Sequence, residues 1–114
     1  MTTVITRSDL QALLAASQVT LVDALPQSYY DQQHLPGAIN LTESDVDILA
    51  ANLLPDVTAT IVTYCSNTAC GNSKAVARRL EKLGYRDVRT YLGGIQDWVE
   101  AGQPTQGTSI TATA

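Results

Sequence analysis

The chain has 114 residues, a formal net charge of −4, an isoelectric point near 4.6 and two cysteines. This length suits one domain, and the acidic balance argues against general nucleic-acid binding. No stretch is long and apolar enough to span a bilayer, so we expect no membrane association. Two cysteines in a chain without a recognisable signal peptide favour a cytoplasmic location.

Short apolar runs alternate with helical patterns along the chain. The five predicted strands are Val4–Ile5, Val19–Val22, Ala38–Asn40, Ile61–Tyr64 and Val88–Leu92. The first predicted helix is capped by Ser8, with Gln11 completing a capping box. A short turn or helix follows from Pro26, and the third helix begins at Thr42 or Ser44. The fourth is capped by Ser73, and the last lies near Ile95. This alternation predicts a three-layer α/β domain with a mainly parallel sheet of about five strands.

Helical spacing also predicts which side chains face the core. These are Leu10, Leu13 and Leu14 in the first helix, Val46, Leu49, Ala50 and Leu53 in the third, Val76, Ala77, Leu80 and Leu83 in the fourth, and Ile95, Trp98 and Val99 in the last. We expect residues 1–104 to form the domain. Residues 105–114 are rich in Thr, Ser and Ala, which predicts a flexible C-terminal tail.

The stretch from Ile61 to Leu80 indicates a reactive cysteine. Cys65 ends the central apolar strand, and seven small or polar residues follow it before the helix that Ser73 caps. Ligands of open α/β sheets bind at this end of the strands. Converging loop N–H groups and a helix N-terminus favour an anion there, and thus a thiolate, the reactive form of cysteine. Cys65 taken alone would favour a buried structural cysteine, but the loop and the helix cap favour the reactive one.

Other polar candidates have simpler structural explanations. Asp23 at a strand end is expected to order the neighbouring turn rather than to line the pocket, and Trp98 is expected in the core. Cys65 and Cys70 have four residues between them, so they do not form a thioredoxin-type Cys-x-x-Cys motif. Two cysteines and one distant histidine do not make a zinc site.

Four segments together resemble a single rhodanese domain, which has a sulfurtransferase fold, over roughly residues 4–104. They are Leu21–Tyr30, His34–Asn40, Tyr64–Cys65 with the helix that follows, and Leu92–Trp98 with Ala101–Gly102. The resemblance implies a persulfide-forming enzyme without a metal or an organic cofactor. It also implies that His34 belongs to a structural turn rather than to the catalytic machinery.

The sequence departs from the family pattern in three places. Leu25 stands where the family usually has an arginine. This departure removes a salt bridge that the family commonly uses and does not change the expected fold. The cysteine loop is about two residues longer than the common sulfurtransferase form and contains Cys70. Related phosphatases and arsenate reductases need an arginine six positions beyond the cysteine to hold an oxyanion. That position is Gly71 here, which weighs against phosphoryl chemistry.

The expected reaction is sulfur transfer through Cys65. Its thiolate attacks the sulfane sulfur of thiosulfate or of a persulfide, and a thiol or cyanide then removes that sulfur from the Cys65 persulfide. We expect the loop to stabilise the terminal sulfur through backbone N–H groups. The predicted substrate-binding residues are Ser66, Asn67, Thr68, Ala69, Cys70, Gly71 and Asn72. The expected partners are a small sulfur-donor anion, a thiol acceptor and, as a further candidate, a sulfur-relay protein.

Two alternatives remain open at this point. One is a redox-sensing or sulfur-relay binding module without rapid turnover, and the other is a thiol reductase that uses both Cys65 and Cys70. A closed loop of converging N–H groups tends to direct side chains outward, so we expect Cys70 to point away from Cys65. The competing hypothesis is that Cys70 is a resolving thiol, which forms a disulfide with Cys65.

Overall fold

Residues 3–107 are described by the computed structural model, in which five parallel strands form one sheet. The strands are β1 (Thr3–Ile5), β2 (Thr20–Asp23), β3 (Ile39–Asn40), β4 (Thr60–Tyr64) and β5 (Asp87–Tyr91). Their order across the sheet is β1-β5-β4-β2-β3, which places β4 in the centre. Every strand pair is parallel, so the predicted parallel sheet is confirmed.

Helices cover both faces of this sheet. They are α1 (Arg7–Ala15), α2 (Gln27–Gln32), α3 (Val46–Leu53), α4 (Asn72–Lys82) and α5 (Gly94–Glu100), with a 3-10 turn at Glu43–Asp45 before α3. One core cluster lies between the sheet and the helices α3 and α4, and a second lies on the side of α1 and α5. Ile61 of β4 belongs to the first cluster and Val62 to the second, because neighbouring strand residues face opposite sides. The predicted three-layer α/β architecture is confirmed.

Two helices begin at other residues than the sequence indicated. The N-cap of α1 is Thr6, whose hydroxyl accepts the Asp9 N–H at 3.2 Å while the Asp9 carboxylate accepts the Thr6 N–H at 3.1 Å. The predicted capping box of Ser8 and Gln11 is therefore wrong. Both pairs have the required spacing of three residues, and Thr6 takes the role because β1 ends directly before it.

The second difference concerns α4, which begins at Asn72 with Gly71 as its N-cap. The prediction that Ser73 caps this helix is wrong, since Ser73 is buried within the first turn. Its carbonyl oxygen accepts a hydrogen bond of 2.9 Å from the Thr63 hydroxyl of β4. This contact draws the start of α4 onto the central strand.

Four apolar side chains that the helical spacing predicted to face inward are exposed, between 36% and 44%. They are Leu49, Leu53, Leu83 and Val99. Leu83 is 44% exposed because α4 ends at Lys82, and the chain turns away at Gly84 with a φ of 103°. The others lie on α3 and α5, which have only 8 and 7 residues and bury a narrower stripe than their apolar pattern covers.

The beginning of the predicted flexible tail is fixed to the domain. Gln106 forms an antiparallel bridge with His34, with reciprocal backbone hydrogen bonds of 2.9 and 2.8 Å. Its side chain also accepts the Gly37 N–H at 2.9 Å. These contacts join Gln106 to the domain, and residues 108–114 of the predicted tail lie outside the described part of the chain. Among the described helices, none is long and apolar enough to cross a membrane.

Candidate active site

Cys65 directly follows the central strand β4 and is only 1% exposed. Its carbonyl oxygen accepts the Ile95 N–H at 2.9 Å, and the Ser66 carbonyl oxygen accepts the Gln96 N–H at 2.9 Å. The first turn of α5 therefore satisfies its N–H groups on the start of the cysteine loop, as helix N-termini require. The sequence did not indicate this contact, which joins residues about thirty positions apart.

Gly94 makes that close approach feasible. Its φ is 66°, a conformation that side-chain-bearing residues rarely adopt. A Cβ atom at this position would lie 2.5 Å from the Cys65 carbonyl oxygen and 2.7 Å from the Ser66 carbonyl carbon. The Gly93-Gly94 pair, predicted only as a tight turn, thus also provides the surface against which the cysteine loop packs.

Asn67 turns the loop back on itself. Its side-chain oxygen accepts the Ala69 N–H at 2.9 Å, and its carbonyl oxygen accepts the Cys70 N–H at 3.1 Å. Its side-chain NH2 group donates to the Gln96 side chain at 3.1 Å, which fixes the turn to α5. The loop therefore has an ordered reversal at Asn67, of the kind that Asn side chains commonly stabilise.

This reversal brings Cys70 onto Cys65, and the two form a disulfide with Cα atoms 6.2 Å apart. The expectation that Cys70 points away from Cys65 is therefore wrong. Its physical reason lies in the turn: the Cys70 N–H bonds to Asn67, which rotates the Cys70 side chain toward the strand end. Cys70 is only half-buried, whereas Cys65 is buried.

The loop residues predicted to bind substrate lie around this disulfide, some of them hydrogen-bonded within the domain and others exposed. The Ser66 hydroxyl lies 4.0 Å from the Cys65 sulfur, and the Asn72 side chain donates to the Ala24 carbonyl oxygen at 3.4 Å. Two of the predicted stabilising N–H groups, those of Ala69 and Cys70, are bonded to Asn67 in this state of the loop. The remaining predicted positions, Thr68 and Gly71, are exposed to solvent.

A buried hydrogen-bond network lies directly below Cys65. The Tyr64 hydroxyl donates to one carboxylate oxygen of Asp23 at 2.8 Å and accepts the Leu35 N–H at 3.0 Å. The other Asp23 oxygen accepts the Leu25 N–H at 2.8 Å, so the expectation that Asp23 orders this turn is confirmed. The role of Tyr64 was not predicted from the sequence. A buried tyrosine at a strand end needs a partner for its hydroxyl, and this was the signal available.

Burial determines the protonation behaviour of this network. Desolvation raises the pKa of Asp23, although hydrogen bonds from the Leu25 N–H and the Tyr64 hydroxyl partly oppose it. Desolvation, and then the nearby charge of Asp23, raise the pKa of Tyr64 far above its ordinary value. Tyr64 is therefore a neutral donor, and its hydrogen bond to Asp23 fixes the end of β4.

His34 and Trp98 have structural roles, as expected. The His34 Nδ1 atom lies 2.6 Å from the Tyr30 carbonyl oxygen, and the two rings stack with centroids 3.9 Å apart. Trp98 is buried and donates its indole N–H to the Pro104 carbonyl oxygen at 2.7 Å. Within residues 3–107, no group of three or more His, Cys, Asp or Glu side chains is arranged to hold a metal ion.

A cleft of about 400 Å³ opens beside the cysteine loop. It is lined by Leu25, Tyr29, Gln32, Gln33, Ser66 and Ile95. Ser66 connects the cleft to Cys65, and none of the lining side chains carries a charge. Tyr29 and Gln32 lie on α2, and no sequence motif indicated that this helix contributes to a cleft.

Comparison with known proteins agrees with this fold. The sequence matches the family described as the rhodanese-like domain over residues 6–101. The BH2092 protein of Bacillus halodurans has a similar structure, with a TM-score of 0.86 at 24% identity, covering 95% of this chain and 79% of that one. This second likeness concerns the fold alone.

Two curated relatives differ in their named functions. The HTH-type transcriptional regulator Rv0324 of Mycobacterium tuberculosis is 35% identical over 100 residues, which cover 88% of this chain and 43% of the regulator. The thiosulfate sulfurtransferase PspE of Escherichia coli is 31% identical over 77 residues, covering 67% of this chain and 70% of PspE. This chain thus spans less than half of the regulator's length. From the match over residues 6–101, the chain belongs to the family of rhodanese-like domains.

Proposed function

We propose that this chain is a sulfurtransferase that carries sulfane sulfur as a persulfide on Cys65. The observation that carries the proposal is the position of Cys65, directly after the central strand and held between the first turn of α5 and the Asn67 turn. Ligands of parallel α/β sheets bind at this end of the strands. The similarity to a named thiosulfate sulfurtransferase supports the same class of reaction.

The reaction consists of two displacements at sulfur. In the reduced chain, the Cys65 thiolate attacks the outer sulfur of thiosulfate, and sulfite leaves with the electrons of the sulfur–sulfur bond. A thiolate acceptor or cyanide then attacks the terminal sulfur of the persulfide, and the Cys65 thiolate leaves. The disulfide with Cys70 must first be reduced, because only the thiolate is nucleophilic. We therefore include a cytoplasmic location in the proposal, since cytosolic thiols are kept reduced.

Substrates enter, in this proposal, through the cleft beside Ser66. Its uncharged lining accommodates a low-molecular-weight persulfide or thiol as well as a small anion. In the reduced loop, we propose that loop N–H groups other than those of Ala69 and Cys70, which bond Asn67, hydrogen-bond the terminal sulfur. The shallow, exposed mouth at Thr68 and Gly71 also leaves room for the thiol of a partner protein.

The intact mass of the protein after incubation with thiosulfate tests this proposal. At early times, before any release by Cys70, the reduced wild-type protein should gain one sulfur atom, and Cys65→Ser should gain none. Cys70→Ser is the matched control, because it also loses one thiol from the loop but keeps the proposed carrier. Retention of added sulfur by Cys65→Ser would place the carrier elsewhere and overturn the proposal.

The similarity to the regulator Rv0324 favours a second candidate. As a redox-sensing or sulfur-relay module, the domain would report the state of the Cys65–Cys70 pair to another domain or protein without rapid turnover. Slow turnover with every small donor, together with persulfide exchange with one protein partner, would favour this candidate. Turnover with a small donor and cyanide at enzymatic rates would favour the sulfurtransferase.

A further inference from the structure

We propose that Cys70 is a resolving thiol that gives this site a second activity, the reductive release of hydrosulfide from sulfane sulfur. Cys70 attacks Cys65 of the persulfide, and the terminal sulfur leaves as hydrosulfide. The loop is left as the Cys65–Cys70 disulfide, which is the state that the structure contains. This inference rests on the proposed function, because its first step begins from the Cys65 persulfide.

The geometry of the loop allows this attack without rearrangement of the backbone. The Cα atoms of Cys65 and Cys70 are 6.2 Å apart, within the range that disulfides require. The hydrogen bonds of Asn67 to the Ala69 and Cys70 N–H groups produce the reversal that sets this distance. Since these bonds are local to the loop, they hold Cys70 near Cys65 whether or not the two sulfurs are bonded.

The ends of the loop are also fixed to the domain. On one side, the carbonyl oxygens of Cys65 and Ser66 accept N–H groups of α5. On the other side, the Asn72 side chain donates to the Ala24 carbonyl oxygen after β2. A pair of groups held in this way reacts as a unimolecular system, with an effective concentration far above that of a free thiol. Cys70 therefore competes with external acceptors for the Cys65 persulfide.

The atoms and electrons of the step balance within the chain. The Cys70 thiolate forms a bond to the Cys65 sulfur, and the bond between that sulfur and the terminal sulfur breaks. The terminal sulfur takes the bonding electrons and a proton and leaves as hydrosulfide. The sulfane sulfur is reduced by two electrons, and the two cysteine thiols are oxidised to a disulfide.

Burial determines how the loop returns to its reduced form. Because the Cys65 sulfur is buried and Cys70 is half-exposed, an external thiolate reaches the Cys70 sulfur first. The Cys65 thiolate is the leaving group, and a mixed disulfide forms on Cys70. We name a dithiol as the reductant: its second thiol displaces Cys70 and closes the reductant's own disulfide. Both cysteines are then thiols again.

A forward experiment compares wild type with Cys70→Ser and Cys70→Ala. Each reduced protein is loaded with thiosulfate without oxygen, the donor is removed, and intact mass and released hydrosulfide are followed. Wild type should lose the added sulfur, release one hydrosulfide per chain and form the internal disulfide. The persulfides of both variants should last about tenfold longer or more. Using two variants excludes an effect of the serine hydroxyl on the persulfide. Equal lifetimes with no internal disulfide would overturn the inference while the sulfurtransferase proposal stands.

A reverse experiment needs no sulfane donor, so it tests the resolving role of Cys70 even when thiosulfate loads none of the proteins. Wild type carrying the Cys65–Cys70 disulfide is treated with sodium hydrosulfide. Because the step is a reversible exchange, its mass should rise by one hydrogen sulfide, and peptide mapping should find the persulfide on Cys65 and the thiol on Cys70. A persulfide found on Cys70 alone is not the reverse of this step and would count against the inference. That result with failed loading would keep the inference and reject the thiosulfate reaction. An unchanged mass with failed loading would reject both.

Discussion

The backbone N–H of Ile95 donates a hydrogen bond of 2.9 Å to the carbonyl oxygen of Cys65. This contact and its neighbour from Gln96 to Ser66 hold the beginning of the cysteine loop on the first turn of α5. The loop is therefore positioned by a helix that lies far away in the sequence. Changes in the α5 turn should consequently affect the chemistry of Cys65 although they touch neither sulfur.

Gly94→Ala should disrupt this contact. The new Cβ atom would clash with the Cys65 carbonyl oxygen at 2.5 Å, in addition to the cost of a positive φ. Gly102→Ala is the matched control, because Gly102 has a similar φ of 76° and nothing within 4 Å of its Cβ position. We expect the control to lose about 1 kcal/mol of unfolding free energy and Gly94→Ala to lose about 3 kcal/mol. Denaturant unfolding measures both values, and equal losses would show that the clash is relieved without cost.

Asn67→Ala should slow formation of the internal disulfide. It removes the side-chain oxygen that accepts the Ala69 N–H, so the reversal that brings Cys70 to Cys65 is less populated. Asn67→Asp retains an acceptor for that N–H, loses the donor to Gln96 and adds a negative charge to the loop. We expect Asn67→Ala to form the disulfide from the loaded persulfide several-fold more slowly, about one order of magnitude at most. Asn67→Asp should stay closer to wild type.

Mass spectrometry after quenching with an alkylating agent measures this rate. The initial loading of Cys65 with sulfur is the internal control, because it precedes the attack by Cys70. If both Asn67 variants close the disulfide as fast as wild type, the turn has no part in bringing the cysteines together.

Asp23→Asn should change how stability depends on pH. Burial raises the pKa of Asp23 above its ordinary value of 3.8, so between these two values the folded chain binds more protons at this site than the unfolded chain. Unfolding free energy contributed by this group is therefore highest below pH 3.8 and falls as pH rises through the folded pKa. The neutral amide keeps an acceptor for the Leu25 N–H and removes this fall. Other carboxylates, including Asp87 and Asp97, have lowered pKa values and act in the opposite direction.

The test is therefore the difference between wild type and Asp23→Asn, measured by denaturant unfolding at a series of pH values. We expect the variant to gain stability relative to wild type as pH rises above 4. A difference that stays constant with pH would show that Asp23 does not titrate over this range in the folded chain.

Leu25→Arg should increase the use of thiosulfate. The cleft beside Ser66 has no charged lining residue, so a divalent anion finds no opposite charge there. A guanidinium at Leu25 would supply one, and an exposed pair of charges at about 4 Å contributes roughly 1 kcal/mol. We expect kcat/KM for thiosulfate to rise about fivefold, and the gain to shrink at high salt. Steady-state kinetics with cyanide as acceptor measures the change.

Leu25→Gln is the control for the arginine variant, since it adds a polar side chain without charge. The same gain in the glutamine variant, or a gain that salt leaves unchanged, would mean that the charge is not responsible. Neither substitution touches Cys65, so each protein should still gain one sulfur atom at early times with thiosulfate.

The parts of the site that follow from local sequence were predictable. The β-branched run before Cys65 and the small residues after it indicated the strand, the loop and the helix, and all three are present. The N-cap of α1 was not predictable, because Thr6 and Ser8 both have an acidic or amide residue three positions later. Only the end of β1 decides between them.

Local sequence does not favour the disulfide, because its formation depends on which way the loop reverses. In a closed loop with inward N–H groups, Cys70 would point away, but the N–H groups of Ala69 and Cys70 bind Asn67 instead. The contact of Ile95 with Cys65 could not be predicted for another reason: no local sequence pattern indicates which distant helix contacts a loop. Features of the site that depend on neighbouring residues are thus predictable, and contacts between distant segments are less so.

The bridge between His34 and Gln106 has a practical consequence for protein engineering. A recombinant version that ends at Pro104, the domain boundary expected from the sequence, would lack Gln106. It would lose the backbone hydrogen bonds between Gln106 and His34 and the side-chain hydrogen bond from the Gly37 N–H. His34 stacks on Tyr30 of the helix that lines the cleft. Fusions, affinity tags and cleavage sites are therefore better placed beyond Gly107 than at the apparent boundary.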